Sequence, residues 1–264
     1  MIPNILSIAG SDPSGGAGIQ ADIKAISANG GYAMAAITAL TAQNTCGVQR
    51  VELVSPEMVL AQISAIRDDI RIDAVKIGML GSTDLVQAVA QALKGLAVPL
   101  VLDPVMVAKG GDRLLAPEAV TSLRDILLPM ATVVTPNLPE AADLLGQPEA
   151  ESRAVMEHQA RALLALGAGA VLLKGGHLGG DHSPDLLMMP DAAVWLDGPR
   201  HATRHTHGTG CTMSSALATQ LGHGQNLNAA CTRAKTYVAG AIAAAATLSV
   251  GHGHGPTHHF HSFT

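Results

Sequence analysis

The sequence predicts an α/β protein in which a central, mostly parallel β-sheet is covered by helices on both faces and carries a small antiparallel edge. Short apolar stretches alternate with helix-like stretches along most of the chain, which is the pattern of strands joined by helical crossovers. Hydrophobic residues make up 48% of the 264 residues, enough to build a sizeable core. Neither a repeat nor a low-complexity linker interrupts the alternation, so we expect one domain over residues 1–264.

Six apolar stretches are predicted to form the buried strands of the parallel sheet. They are short and rich in Val, Ile, Leu and Ala, as expected of strands that are covered on both faces. Their positions are residues 5–9, 33–42, 74–80, 100–107, 132–136 and 171–174. Residues 186–189 and 193–196 are predicted to pair as an antiparallel hairpin at the sheet edge, because Pro190 and Asp191 between them favour a turn.

Eight helices are predicted between or beside these strands. Ser55 and Ser82 each precede a helix-like stretch and are suitable N-cap residues. The first six helices are predicted at residues 18–28, 56–70, 83–96, 117–128, 139–145 and 153–166. Two late helices, at residues 211–221 and 227–248, are predicted to complete the core.

Composition and charge argue against several classes of protein. A net charge of −5 is unlike that of a general nucleic-acid binder. The three cysteines, Cys46, Cys211 and Cys231, are widely spaced and indicate neither a disulfide framework nor a Cys-X-X-Cys metal site. The N-terminal stretch lacks the features of a secretory signal, and the apolar stretch 239–250 is shorter than the roughly 20 residues needed to cross a bilayer. We therefore expect a soluble cytoplasmic protein.

A glycine-containing turn precedes the Ala-rich helix predicted at residues 211–221. Gly208 and Gly210 allow unusual backbone angles there. The start of a helix presents unpaired N–H groups and a positive dipole end, which attract phosphate. Cys211 lies on the same turn, where this field is expected to lower the pKa of its thiol and make it a possible base. The alternative is an ordinary capped helix with a buried cysteine.

Polar and glycine residues follow the predicted strands, where an open parallel sheet places its ligand. Gly10 and three more glycines follow the first strand and permit close approach of backbone to a ligand. Gln43 follows the second, and its amide offers an acceptor and two donors that can match an aminopyrimidine edge. Met79 follows the third and can form the wall of a flat ring site. The plainer alternatives are that the glycines form an ordinary turn, that the Gln43 amide is solvated and that Met79 fills the core.

Charged residues follow the next three strands. Asp103 is placed to hold Mg²⁺ through water, because that ion retains much of its hydration. Asn137 and Glu140 are three residues apart at a helix start, so they either face one point or form a cap. Lys174 ends an apolar strand, a position that is favourable only beside an anion.

Eight motifs in order along the chain resemble those of the hydroxymethylpyrimidine/phosphomethylpyrimidine kinases of thiamine biosynthesis, a branch of the ribokinase-like fold. The resemblance extends over nearly the whole chain. The motifs are AGSDPSGGAGIQAD (9–22), ITALTAQNT (37–45), KIGML (76–80), DPVMVAKGG (103–111), TPNLPEA (135–141), LKGGH (173–177), THGTGC (206–211) and GHGHGP (251–256).

The resemblance implies a three-layer αβα kinase that uses ATP and Mg²⁺ to phosphorylate 4-amino-5-hydroxymethyl-2-methylpyrimidine and then its monophosphate. It also implies a homodimer. In the ring site, Gln43 would recognise the pyrimidine, and the lining would include Gly10, Asp22, Met79 and Val105. At the phosphate side, Lys174, Asn137 and Thr209 would bind the phosphates of ATP. Asp103 and Glu140 would bind Mg²⁺. Gly208, Gly210 and Cys211 would form the anion hole. Relatives that act on sugars carry Asp at the position of Cys211, which favours a pyrimidine or pyridoxal-type kinase.

Three alternatives remain open from the sequence. The first is a pyridoxal kinase of the same fold. The second is a thiol hydrolase that uses Cys211 with His205 or His207. The third is a metal-binding protein that uses the His-rich C-terminal tail, residues 251–264. We expect this tail to be exposed and dispensable for kinase activity.

Overall fold

The computed structural model describes residues 1–107 and 115–263. Its strands, in chain order, are β1 (Asn4–Ala9), β2 (Tyr32–Ile37), β3 (Ala39–Asn44), β4 (Gly47–Leu53), β5 (Ala74–Ile77), β6 (Leu100–Leu102), β7 (Val133–Val134), β8 (Val171–Lys174), β9 (Asp185–Met189) and β10 (Ala192–Leu196). Its α-helices are α1 (Gly18–Ala28), α2 (Pro56–Asp69), α3 (Thr83–Leu93), α4 (Pro117–Ser122), α5 (Leu138–Leu145), α6 (Arg153–Ala165), α7 (Thr209–Gly222) and α8 (Leu227–Ala243).

Eight of these strands form one sheet in the order β10-β9-β8-β7-β6-β5-β1-β2. All neighbours from β8 to β2 are parallel. Strands β9 and β10 add an antiparallel hairpin at the β8 edge, so the predicted fold class and edge hairpin are confirmed. A second, two-stranded antiparallel sheet consists of β3 and β4.

An apolar layer lies on each face of the sheet, because side chains of a strand alternate between the faces. Ile5 and Val101 point to the layer that contains residues of α1, α7 and α8. Leu6 and Leu102 point to the opposite layer, which contains residues of α2 through α6. The result is the three-layer αβα architecture. None of the helices in the described ranges combines the length and apolarity that a bilayer crossing requires.

Several element boundaries differ from the prediction. The strand expected at residues 33–42 is divided, because the chain leaves the sheet at Thr38, whose hydroxyl donates to the Met79 carbonyl at 2.7 Å. The helix expected at 117–128 continues beyond α4 as a π-helical turn and then a 3₁₀ turn that contains Pro129. The predicted strand at residues 100–107 ends at Leu102, and residues 108–111 of the fourth motif lie outside the described residues.

The expectation of an exposed C-terminal tail holds for only part of it, because residues 255–257 and 259 are buried. The His254 amide donates to the Thr45 carbonyl at 2.8 Å, and the His258 amide donates to the Ala241 carbonyl at 2.9 Å. His259 is buried, and its carbonyl accepts a 2.7 Å hydrogen bond from the Tyr237 hydroxyl. The tail is therefore part of the packed structure, tied both to the β3–β4 hairpin and to α8.

Candidate active site

A cavity of about 670 Å³ opens at the carboxyl ends of the parallel strands. Its lining includes residues that follow β1, β5, β6 and β7 in turn, namely Gly10, Met79, Asp103 and Asn137, together with Lys174 at the end of β8. Residues of the β3–β4 hairpin and of α8 also line it. The site therefore lies where an open parallel sheet places its ligand.

The start of α7 forms a backbone turn on the wall of this cavity, as predicted. Gly208 is the N-cap, with φ of +76° and no side-chain cap. A side chain at Gly208 would collide with the Gly16 carbonyl oxygen, so only glycine fits this left-handed position. Gly208, Thr209, Gly210 and Cys211 all line the cavity. We call these four residues the anion turn, because N–H groups at a helix start attract anions.

Lys174 lies between two buried carboxylates beside the anion turn. Its Nζ is 3.1 Å from Asp103 Oδ1 and 3.9 Å from Glu140 Oε2. The hydroxyls of Thr135 and Ser214 each donate to Asp103 at 3.2 Å. A Cβ placed on Gly210 would be 3.3 Å from Lys174 Nζ. The predicted phosphate-side residues therefore meet at one point.

Asn137 and Glu140 form a capping box at the start of α5. The Asn137 Oδ1 accepts from the Glu140 amide at 2.8 Å, and Glu140 Oε2 accepts from the Asn137 amide at 2.7 Å. Burial raises the pKa of Glu140 to about 7, although the neighbouring Lys174 opposes this shift. Both open alternatives therefore hold: the pair caps the helix and also lines the cavity.

The chemistry of this cluster suits a hydrated divalent cation. Asp103 and Glu140 are both buried and share one ammonium group, so the cluster has a negative balance that favours Mg²⁺ when both carboxylates are ionised. Within the described ranges, no group of three or more His, Cys, Asp or Glu side chains is arranged to hold a metal ion. The two carboxylates therefore fit Mg²⁺ only if water or phosphate supplies its remaining ligands.

Gln43, Gly10, Met79 and Val105 all line the cavity, and we call the part of the cavity that they line the ring slot. Gln43 lies within β3, at a register shift against β4, rather than after β2. A Cβ on Gly10 would be 2.9 Å from Met79 Sδ, so glycine keeps the slot open next to the sulfur.

Asp22 does not line the cavity, which corrects the prediction for this residue. Its carboxylate is fully buried and accepts from Lys76 Nζ at 2.8 and 2.9 Å. The hydroxyls of Ser7 and Ser215 donate to it at 2.6 and 2.7 Å. With both oxygens engaged, Asp22 neutralises Lys76 rather than facing a ring.

Lys76 is a cavity residue to which the sequence interpretation assigned no role. Its position in the apolar strand AVKI was a usable signal, because a buried lysine needs an anionic partner. The partner could not be identified from the sequence, since Asp22 is 54 positions away.

The expectation that helix α7 lowers the pKa of Cys211 is wrong. Burial raises the pKa of the Cys211 thiol to about 11, more than the nearby Lys76 ammonium and a backbone hydrogen bond from Gly18 lower it. Desolvation of the thiolate, together with the negative charges of Asp22 and Asp103, thus outweighs the favourable charge of Lys76. The thiol is protonated at neutral pH.

The thiol hydrolase alternative finds no support in this geometry. The described residues show no hydrogen bond between the Cys211 thiol and His205 or His207, and burial raises the pKa of that thiol to about 11. The ring of His205 packs against Gly255 in the C-terminal tail. The metal-binding alternative also finds no support, since the described part of the tail contributes to no cluster of potential metal ligands.

The part of the cavity that is lined by α8 was not predicted from the sequence. Val238, Ala239 and Ile242 of α8 form an apolar wall there. Lys235 from the same helix also lines it, and its Nζ is 2.7 Å from Asp185 Oδ2. One cavity is therefore lined by the anion turn and Lys174, by Gln43 and by apolar residues of α8. A site of this kind at the carboxyl ends of this sheet is that of the small-molecule kinases with a ribokinase-like fold.

Comparison with known proteins gives the narrower assignment. Residues 12–258 match the phosphomethylpyrimidine kinase family. The hydroxymethylpyrimidine/phosphomethylpyrimidine kinase of Escherichia coli K12 is 52% identical over 261 residues, covering 98% of each chain. The chain belongs to this family.

Two solved structures show the same fold. The ADP complex of Bacillus subtilis pyridoxal kinase superposes with a TM-score of 0.91 at 37% identity, covering 98% of each chain. The phosphomethylpyrimidine kinase of Clostridium difficile 630 superposes with a TM-score of 0.80 at 41% identity, covering 91% of this chain and 99% of that one.

Proposed function

We propose that this chain uses ATP to phosphorylate 4-amino-5-hydroxymethyl-2-methylpyrimidine and then its monophosphate, which yields the pyrimidine diphosphate for thiamine biosynthesis. The observation that carries the proposal is the continuous cavity, in which a ring slot at Gln43 adjoins the anion turn and Lys174. Family membership and the names of the relatives support it. The ADP complex of a structural neighbour supports ATP as the donor.

In this proposal the residues act by position and charge. Phosphoryl transfer requires alignment and stabilisation of developing charge more than covalent help from the protein. Gln43 pairs with the ring, and Gly10, Met79 and Val105 enclose it. The N–H groups of the anion turn and the Lys174 ammonium stabilise charge on the transferred phosphoryl group. Asn137 and Thr209 line the path of the ATP phosphates.

Asp103 and Glu140 would hold Mg²⁺, and the bound ion would neutralise phosphate charge and orient the phosphates. Cys211 contributes its backbone N–H and the shape of the turn, because its thiol is protonated at neutral pH. The apolar wall of Val238, Ala239 and Ile242 accepts the adenine, so no aromatic stacking residue is needed there.

A direct assay tests the proposal. The purified chain is incubated with Mg·ATP and the aminopyrimidine alcohol, and the mono- and diphosphate are followed separately. We expect both products, and Lys174→Met should reduce their formation by about 10²–10³-fold. Arg50→Met, which removes an exposed cation on β4, is the matched control and should leave the rates unchanged. Absence of either product from the unmodified chain would contradict the proposal.

Pyridoxal is a second candidate substrate because a pyridoxal kinase shares the fold so closely. We expect a lower kcat/KM for pyridoxal than for the aminopyrimidine alcohol, since Gln43 offers the slot a paired donor and acceptor. Rates measured with each alcohol under the same conditions separate the two activities.

We also propose that the protein is a cytoplasmic homodimer that does not bind nucleic acid. Exposed apolar side chains on the β3–β4 hairpin, among them Leu40, Val51 and Leu53, support an interface between two copies. Light scattering coupled to gel filtration measures the mass. A monomer at all concentrations would exclude the dimer.

A further inference from the structure

His207 stands between Asp12 and Gln43 at the edge of the ring slot. Its Nε2 is 2.8 Å from Asp12 Oδ2 and 3.4 Å from Gln43 Nε2. The Gln43 Oε1 is 3.3 Å from Thr41 Oγ1. Gln43 therefore has one polar neighbour on each flank, and these neighbours decide which way its amide is turned.

The proton on His207 is fixed by Asp12. Burial alone raises the pKa of Asp12, but hydrogen bonds from His207 and Ser14 outweigh it and hold the pKa below its ordinary value. An ionised carboxylate only accepts hydrogen bonds. Nε2 of His207 must therefore carry a hydrogen in both the neutral and the protonated ring, and it cannot accept one from Gln43.

The hydroxyl of Thr41, in contrast, acts as an acceptor towards Gln43. It has one hydrogen, and its 2.8 Å bond to the Ser11 carbonyl is shorter than its 3.3 Å approach to Gln43. The Thr41 oxygen is then an acceptor towards Gln43. The oxygen and nitrogen of an amide exchange places by a half-turn, and hydrogen bonding decides between the two states. His207 Nε2 cannot accept from the NH₂ group, and the Thr41 hydrogen is directed to Ser11. Both neighbours therefore favour a half-turn of the amide from the placement given above, with Oε1 towards His207 and the NH₂ group towards Thr41.

We propose that the Asp12–His207 pair is a positioning device that locks the Gln43 amide in this state and thereby sets the orientation of the aminopyrimidine. This inference rests on the proposed function. With its flanks engaged, the amide presents one acceptor and one donor to the slot. The acceptor, on the His207 side, pairs with the 4-amino group, and the donor, on the Thr41 side, pairs with ring N3.

The consequence concerns the reacting group. The hydroxymethyl group is on C5, next to the carbon that bears the amino group, so it lies on the His207 side of the ring. His207 directly precedes the anion turn. The locked amide thus directs the alcohol towards the anion turn, whereas the reversed amide pairs only with a ring turned the other way.

A pair of substrates tests this device. In 5-hydroxymethyl-2-methylpyrimidin-4(3H)-one, the edge pattern is reversed, with an acceptor at position 4 and a donor at N3. The locked amide should accept the amino compound and reject the oxo compound by about 10²-fold or more in kcat/KM. His207→Leu frees the amide, so this ratio should fall at least about tenfold, through a slower amino reaction and a faster oxo reaction. The KM for ATP should be unchanged.

Two further variants separate positioning from folding. Thr41→Val removes the other flanking partner and should also lower the ratio, while Thr41→Ser keeps the hydroxyl and should preserve it. His223→Gln, an exposed histidine at the end of α7, is the control and should match the unmodified chain. If His207→Leu slows both substrates by the same factor, or if Thr41→Val leaves the ratio unchanged, the device is excluded. If the unmodified chain phosphorylates neither substrate, the proposed function itself fails.

Discussion

His259 Nε2 lies 3.1 Å from Thr212 Oγ1 in a buried contact between the C-terminal tail and the first turns of α7. The Thr212 hydroxyl donates to the Gly208 carbonyl at 2.8 Å, so its oxygen accepts the hydrogen bond from His259. The backbone amide of His207, which directly precedes Gly208, donates to the Gly255 carbonyl of the tail at 3.0 Å. The tail therefore supports the anion turn from behind.

Removal of the tail should consequently impair the enzyme. A chain that ends at Gly251 loses both contacts with the start of α7, and we expect kcat to fall at least about tenfold and the melting temperature to drop. Kinase assays and thermal unfolding measure these changes. His252→Ala, at an exposed position of the same tail, should behave like the full chain. A truncated chain with full activity would restore the expectation that the tail is dispensable.

The buried His259 should make stability depend on pH. Burial lowers the pKa of His259 to about 4, and the positive charge of Lys24 adds to the shift. Between pH 6.5 and 4 the unfolded chain binds more protons than the folded one, so the free energy of unfolding should fall as the pH falls. The difference corresponds to about 3 kcal/mol.

Urea unfolding at several pH values across this window measures the slope. His259→Gln retains a hydrogen-bond donor for Thr212 but cannot be protonated, so the slope should become shallower in this variant. His252→Gln, at an exposed position, should keep the original slope. An identical slope in His259→Gln would mean that His259 is not the titrating group.

The central sheet was predictable because its strands are short apolar runs separated by helix signals. β4 was not, because its sequence GVQRVEL is mostly exposed and shows no apolar face. The end of β2 at Ile37 was also not predicted, and the next residue, Thr38, donates a hydrogen bond to Met79, which is 41 positions away. Local hydrophobic patterns in the sequence predict which segments are buried in the sheet, but they do not predict contacts between segments that are distant in the sequence.

The same distinction applies to the site. Asp103 follows β6 and Lys174 ends β8, so their meeting at the carboxyl ends of the parallel strands follows from the topology alone. The burial of the histidine-rich tail and the raised pKa of Cys211 depend on the packing of distant segments around them. Motif order identified the site, and packing then changed the chemistry expected of Cys211.

The buried ion pair of Lys76 with Asp22 should be essential to stability. Removal of one partner leaves an uncompensated charge in the core, which costs roughly 3–5 kcal/mol. Lys76→Met should therefore lower the free energy of unfolding by that amount, as measured in urea. The double variant Lys76→Met with Asp22→Asn removes both charges and should recover part of the loss. Strictly additive losses would show that the two groups do not interact.

The raised pKa of Cys211 determines how its replacement should affect the two phosphorylations. The first nucleophile is an alcohol that must lose a proton, whereas the second is a phosphate that is already largely dianionic at neutral pH, because its second pKa is about 6. A thiol with a pKa of about 11 is protonated under these conditions. Cys211→Ala should therefore slow both steps by a similar factor, below about tenfold, through altered packing of the anion turn.

Single-turnover rates for each step across pH 6–9 provide the measurement. Cys211→Ser retains a polar group of similar size and should lie between the unmodified chain and Cys211→Ala in both steps. If the Cys211 thiolate were the base, Cys211→Ala would strongly slow the first step alone. The rate of the first step in the unmodified chain would also rise with pH throughout this range. That pattern would show that bound substrate overcomes the desolvation of the thiolate, and the cysteine would then be the base.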